Sequence, residues 1–335
     1  MAMTPSVTFR TIDEPHPGGK LAAVYAQRAP AYAAWYLQHG GDARPSAEEG
    51  LEALRLHMPE LVPVYEAMVR EVGSDDPVAA RMFTMWKPPG AAIACSQAVL
   101  HDAERGPRLA RNYDYPAELM DAVILRSAYL ERAVIGVTDA VWGLCDGMND
   151  RGLAVSLTFG GRASMGEGFG APIVIRYLLE TCDTVEQART VLARLPSAHT
   201  HNLTLADASG GVLTAYLDPD RPPSFRRLPI AVNHQWVVES WDPVLAESTL
   251  QREWWLLRLL RRPRCRPRTV PRCLPGATAL QPGPRRGSGH RVHRRLRRGR
   301  GRHHLRMADA TAGLRFDSFV EGEHEIVFPP SPPSV

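Results

Sequence analysis

Between Ile93 and Gly161 the chain lays down five short segments in succession, IACSQAVL, LARNYDY, AVILRSAYL, AVIGVTDAVWGL and GLAVSLTFGG. Each is rich in Val, Leu, Ile or Tyr. Turn residues such as Arg105-Gly106-Pro107 and Asp150-Arg151-Gly152 separate them, a pattern that predicts a meander of antiparallel strands. A helical stretch follows, APIVIRYLLETCDTVEQARTVLARLP, read as two helices broken near Asp183 with Asp183-Thr184 as the second N-cap. Strands then resume: LTLADASGGVLTAYLD predicts a hairpin around Ser209-Gly210-Gly211, and PIAVNHQWVV a further strand. AESTLQREWWLLRLL reads as a last amphipathic helix. Strands, then helices, then strands again point to an α+β layered fold, because βαβ units would interleave the two.

Ahead of the strands, residues 1 to about 87 read as mostly helical. Apolar residues recur at helical spacing, and Ser46 three residues before Glu49 is a capping-box pattern. Pro63 is expected to kink or divide that helix. The N-terminus has neither a basic n-region nor an apolar h-region, and no 18-residue apolar run occurs, so the expectation is a cytoplasmic protein without a membrane span. Five cysteines, Cys95, Cys145, Cys182, Cys265 and Cys273, form no CxxC pair. Neither a disulfide framework nor a metal site is expected from them.

The net charge of +4 averages two unlike regions. From Arg258 to Arg306 there are 17 Arg and no Asp or Glu, which leaves 23 basic against 36 acidic residues elsewhere, a balance of −13. Taken literally, that segment is a disordered cationic arm suited to phosphate backbones, and a nucleic-acid-binding protein on an inactive core is the alternative function. The 38 Arg against 2 Lys suggest instead a GC-rich coding sequence read out of frame, which yields mostly Arg, Pro, Gly, Ala and His. Acidic and aromatic residues return after Met307 in ADATAGLRFDSFVEGEHEIVF. Nucleic acid is therefore not the expected partner.

Cys95 opens the first strand, and RNYD brings Arg111 and Asp114 sixteen and nineteen residues later. A hairpin sets the end of the second strand beside the start of the first. Arg111 and Asp114 are three apart, so strict alternation puts them on opposite faces, and a bulge or turn at Asn112 to Tyr115 is expected. A thiol is mostly protonated near neutral pH and needs a cation or a base to become a good nucleophile. Arg111 supplies a cation, but no histidine partner is apparent. If the bond before Cys95 were cut, its own α-amine would be an adjacent base that a carboxylate such as Asp114 could orient.

Cys-Ser at a strand start, RNYDY, DGMNDRGLAVSLTFGG and the later VNHQ, in this order, resemble the isopenicillin-N acyltransferase family (peptidase family C45) of the N-terminal nucleophile hydrolases, cousins of the choloylglycine hydrolases. The resemblance covers roughly residues 8 to 260 and resumes at LRFDSFVEGEHEI. It implies a four-layer αββα sandwich, a proenzyme that cleaves itself between Ala94 and Cys95, and hydrolysis or acyl transfer at a linear, non-peptide amide. No cofactor is implied beyond acyl-CoA as an acyl donor. Cys95 is similar to the nucleophile, Arg111 and Asp114 to the pair that contacts it, and Asn233 to the oxyanion donor; Asn202 is a further candidate, while Asn149 reads as a turn residue. The implied domains are a helical pro-segment (1–94) that stays associated with the catalytic chain, a catalytic domain (95–257), the Arg/Pro-rich segment (258–306) and a return to the catalytic domain (307–335). The expected partner is a small-molecule amide or acyl substrate.

Overall fold

The computed structural model describes residues 6–73, 76–90, 94–102, 106–114, 120–240, 243–261, 292–297, 302–307 and 311–327. Three of the five segments expected in the meander supply β4 (Val123–Ser127), β5 (Val134–Asp139) and β7 (Ala154–Phe159), and β6 (Gly143–Asn149), which the sequence pattern does not set apart from β5, lies between the last two; with β8 (His201–Ala206), β9 (Val212–Leu217) and β10 (Ser224–Arg226) they lie in chain order in one nine-stranded sheet. Its far side is completed by the two ends of the chain. β1 (Ser6–Asp13) pairs parallel with β4 and antiparallel with β15 (Gly322–Val327).

The hairpin of β2 (Ala94–Asp102) and β3 (Gly106–Asp114) leaves the meander and joins a second sheet. There β2 is flanked by β11 (Ile230–Ala231). Beyond β3 come β12 (Val292–Arg297), β13 (Arg302–Met307) and β14 (Thr311–Arg315), in that order. Pairing from Ala94↔Asp114 to Asp102↔Gly106 is continuous, so β3 carries no bulge through Asp114; Tyr115, the last position of the expected bulge or turn, lies outside the described residues. β12 and all but the last residue of β13 fall inside the Arg-rich segment, which taken literally reads as a disordered arm.

Alternation along the strands separates the layers. Val99 and Leu109 pack with Met148, Ala154 and Ala206 of the other sheet. Their neighbours Ala98, Leu100 and Ala110 instead meet Leu256 and Leu259 of α7 (Pro243–Leu260) on the outer face. On the nine-stranded sheet, Gly147 faces the other way from Met148: a side chain there would strike Leu179 of α5 (Ala171–Thr181). Helix, sheet, sheet, helix is the four-layer αββα sandwich that the resemblance implies. Each aliphatic side chain buried between the layers contributes about 1.5–3 kcal/mol.

The helical break follows the capping logic, with Thr184 and Gln187 forming a reciprocal cap at the start of α6 (Val185–Leu192). Ser46 and Glu49 do the same for α2 (Ala47–His57). The division expected at Pro63 falls earlier, in a short 3-10 turn at Pro59–Leu61. Pro63 sits in the first turn of α3 (Val62–Val72), where a missing N–H costs nothing. With α1 (Gly19–Tyr36) and α4 (Pro77–Met82) these helices make the described residues ahead of β2 mostly helical, but β1 is sheet, and Tyr32 of α1 donates a hydrogen bond to Asp121 beside β4. No described helix is long and apolar enough to cross a membrane.

Candidate active site

Cys95 lies on the inward face of β2 with 0% of its surface exposed. Two residues along the same face, the Gln97 amide spans to Ser156 of β7 and Thr204 of β8, tying the two sheets together behind the thiol. Across the hairpin, Arg111 sends Nη2 to the Cys95 Sγ at 3.5 Å. Its Nη1 donates to the Cys145 carbonyl at 3.1 Å and lies 3.7 Å from the Asp146 carboxylate, both on β6. Arg111 is 2% exposed and Asp146 is buried with it. A buried guanidinium is tolerable only with such a counter-charge and hydrogen bonds, so β6 aims the cation at the thiol.

Asn233 reaches the other side of Cys95 from the loop after β11. Its Oδ1 accepts the Cys95 backbone N–H at 2.9 Å, and its Nδ2 donates to the Phe159 carbonyl at 3.0 Å. The loop is held in place on several sides. Asn202 Nδ2 donates to the carbonyls of Val232 (2.8 Å) and His234 (3.0 Å), and the Asn233 N–H donates to Thr249 Oγ1 at 2.9 Å. Gly161 makes the approach possible: its φ is +95°, and a Cβ there would come within 2.6 Å of the Asn233 carbonyl oxygen. Only glycine satisfies both conditions cheaply.

Helix α7 adds a residue that sequence reasoning misses. Thr249, Arg252, Leu256 and Leu259 are its buried side chains, and their spacing places them on one face. Arg252 donates through Nη1 to the Cys95 carbonyl and through Nη2 to Asn233 Oδ1 at 2.7 Å. The signal available in sequence was an arginine in phase with the apolar stripe of an amphipathic helix, which is the position a solvated charge avoids.

Sequence and structure thus bring Cys95, Arg111 and Asn233 together. The backbone of Asp114 lies opposite Ala94 at the end of the hairpin, while its side chain is outside the described residues. Asn202 braces the loop carrying Asn233 instead of touching Cys95. Asn149 closes the β6–β7 turn, accepting from the Leu153 N–H and donating to the carbonyls of Leu179 and Cys182. His234 bonds to Thr249 at 3.1 Å and lies 3.5 Å from Glu253; burial pushes its pKa below the usual range and Glu253 pulls it back. Behind Arg111, burial and then the charge of Asp121 push the Asp139 carboxyl up to about 7, and the Cys145 thiol donates to it. No cluster of three or more potential metal ligands occurs among the described residues.

The arrangement supplies a nucleophilic atom beside a cation, a main-chain nitrogen held by an amide oxygen, and a second cation on that oxygen. Residues 102–253 match the family model for acyl-coenzyme A:6-aminopenicillanic acid acyl-transferase, a span that begins after Cys95 and contains Arg111, Asp114, Asn202, Asn233 and Arg252. No curated protein sequence matches the chain. Among solved structures it is similar to penicillin V acylase from Agrobacterium tumefaciens, with 14% identity, 67% of this chain and 86% of that one covered, and a TM-score of 0.47. It is also similar to the C2A mutant of conjugated bile acid hydrolase from Clostridium perfringens, with 9% identity, 71% and 97% covered, and a TM-score of 0.48. For the Caenorhabditis elegans ortholog of N-acylethanolamine-hydrolyzing acid amidase the values are 15%, 59% and 92%, and 0.38. Over residues 102–253 the chain is therefore similar in sequence to the acyl-coenzyme A:6-aminopenicillanic acid acyl-transferase family.

Proposed function

We propose that this protein is an autoprocessing cysteine amidohydrolase or acyltransferase that acts on a linear amide through a thioester. The observation that carries the reading is the convergence on one residue: Arg111 on the Cys95 sulfur and Asn233 on the Cys95 nitrogen. In the intact chain that nitrogen is an amide and cannot take a proton. Self-cleavage changes this. Sγ attacks the Ala94 carbonyl, the acyl group moves from nitrogen to sulfur, and water hydrolyses the thioester, leaving the Ala94 carboxylate and the Cys95 α-amine.

The mature cycle then uses the sulfur and nitrogen of the same residue. The amine takes the thiol proton, and the thiolate, favoured by Arg111, attacks the substrate carbonyl. The amine returns the proton to the departing nitrogen. Water or an acceptor amine, deprotonated in turn by the α-amine, resolves the thioester and regenerates the thiol. Asn233 is the proposed oxyanion donor through Nδ2, and removal of such a donor typically costs about 100- to 1000-fold in rate. Cys95 is 0% exposed in the uncut chain, and in this reading it becomes reachable after cleavage.

Intact-mass measurement with N-terminal sequencing tests the reading. Active protein is expected to yield a chain beginning Cys-Ser-Gln-Ala-Val. Active protein whose Ala94–Cys95 bond is unbroken would overturn the proposal.

A further inference from the structure

Self-cleavage needs the Ala94 carbonyl brought to the Cys95 sulfur, and the course of the chain ahead of Ala94 decides where that carbonyl lies. We infer that Arg44 is a positioning residue for this step: its buried guanidinium holds the Lys87 carbonyl, and with it a turned strap, residues 85–90, that delivers Ala94 to the thiol. The inference rests on the proposed function and concerns its first step. There Sγ bonds to the Ala94 carbonyl carbon, the C–N bond to Cys95 breaks, and the thiol proton passes to the Cys95 nitrogen.

The strap is tied at successive residues to the loop that leads into α5. The Met85 carbonyl accepts from the Gly170 N–H at 2.9 Å, Trp86 bridges Phe169, and the Lys87 N–H donates to the Gly168 carbonyl at 2.9 Å. The loop is itself fixed on its far side, where the Phe169 N–H donates to the Pro196 carbonyl at 3.0 Å and the Phe169 carbonyl accepts from the Ala198 N–H at 2.9 Å. Gly168 lies so close that a Cβ there would strike the Ser197 carbonyl carbon. At the end of the strap Gly90 rests against the His199 ring, with room for a Cβ only 3.4 Å from Cδ2. Gly90 is four residues from Ala94, so their Cα atoms are at most about 14 Å apart, and a change in the strap's course reaches the scissile carbonyl.

Arg44 meets a demand in this strap. Met85 and Lys87 have φ of +50° and +48°, left-handed conformations that residues with a Cβ adopt at a cost and keep only where their surroundings hold them. The Lys87 ammonium is at the surface, 3.2 Å from Glu167, and does not hold its own backbone. Arg44 does, through Nη1 on the Lys87 carbonyl at 3.0 Å. Arg44 is 6% exposed, its Nε has no partner, and among the described residues its guanidinium makes no second hydrogen bond. Burial of a cation for one carbonyl is costly, which points to a task at that carbonyl. The turn carrying Arg44 is anchored in turn by Arg81 of α4, which donates to the carbonyls of Gly41, Arg44 and Pro45 at 2.6, 2.7 and 2.8 Å.

The test follows cleavage of the full-length chain after cell-free synthesis, with intact mass read over time. Arg44→Gln is expected to slow cleavage about 10- to 100-fold, the scale on which a misplaced reacting group costs rate, and Arg44→Lys, which keeps a charged donor, to restore most of it. Once cleaved, purified Arg44→Gln protein is expected to match wild type in kcat/KM, because the mature cycle does not use the strap. Equal cleavage rates in wild type and Arg44→Gln would overturn the inference. So would a loss of kcat/KM in the cleaved variant as large as its loss of cleavage rate, the mark of a general structural defect. Should Arg44→Gln fail to fold, Lys87→Pro leaves Arg44 in place but removes both the N–H given to Gly168 and the left-handed φ; cleavage there at the wild-type rate overturns the inference alone. Active wild type that stays uncut removes the proposed function itself, a separate result.

Discussion

The two sheets are built and used differently. The nine-stranded sheet is laid down almost in chain order, and the largest apolar cluster packs around it, with α5 residues such as Leu178 and Leu179 fully buried. The six-stranded sheet gathers β2–β3, the two-residue β11 and strands beyond residue 290, over clusters of a few residues each. Yet Cys95, Arg111, Asn233 and Arg252 all belong to the second sheet, its adjoining loop or its covering helix. A locally connected sheet supplies rigidity, and a sheet assembled from distant segments can bring unrelated side chains to one point. The first reaches into the site mainly through β6, which aims Arg111.

If this division is right, damage to each sheet should read out differently. The largest effect is expected from Cys95→Ala, which should abolish both chain cleavage, seen by intact mass, and turnover. Residual turnover above background would place the nucleophile elsewhere. Next is Leu178→Ala in the helix covering the nine-stranded sheet. Truncating so buried a leucine should lower unfolding free energy by about 2–5 kcal/mol in denaturant titration, while alkylation of Cys95 in the processed protein stays unchanged. A large change in alkylation rate would show that the sheets are not separable in this way.

Asn233→Ala should cut turnover about 100- to 1000-fold through loss of the oxyanion donor, with a smaller effect on alkylation by iodoacetamide through the Cys95 nitrogen that its Oδ1 holds. Unchanged turnover removes Asn233 from the site. The smallest effect is expected for Arg111→Leu. A lost cation disfavours the thiolate, so alkylation at pH 7 should slow and its pH profile move upward by about one unit. A profile identical to wild type makes the arginine structural.

Much of this was legible from residue patterns because it is local. The β4–β9 meander, the capping boxes at Ser46 and Thr184, and the β2–β3 hairpin depend on contacts within a few tens of residues. The convergence of Asn233 on Cys95 came from the ordered motifs and not from periodicity. Three features were hidden. The partition of the strands between two sheets depends on long-range packing, which alternation does not encode. Arg252 is in phase with Leu256 and Leu259, but exposed apolar residues such as Leu250 and Trp254 on the same helix conceal which face is buried. And β1 is a strand whose partners, β4 and β15, lie more than a hundred and more than three hundred residues away.

That last strand sets the conditions under which the molecule can be unfolded and recovered. β1 is not a terminal appendage; it is paired on both sides between β4 and β15. Folding of the uncut chain closes this sheet within one molecule. After a cut before Cys95, the same strand would belong to a separate polypeptide, and refolding would require two chains to meet. The mature protein's apparent stability would then depend on protein concentration, and dilution after denaturation would leave the nine-stranded sheet open between β4 and β15. The proenzyme would refold as a monomer, whereas the enzyme would persist by the slowness of its unfolding.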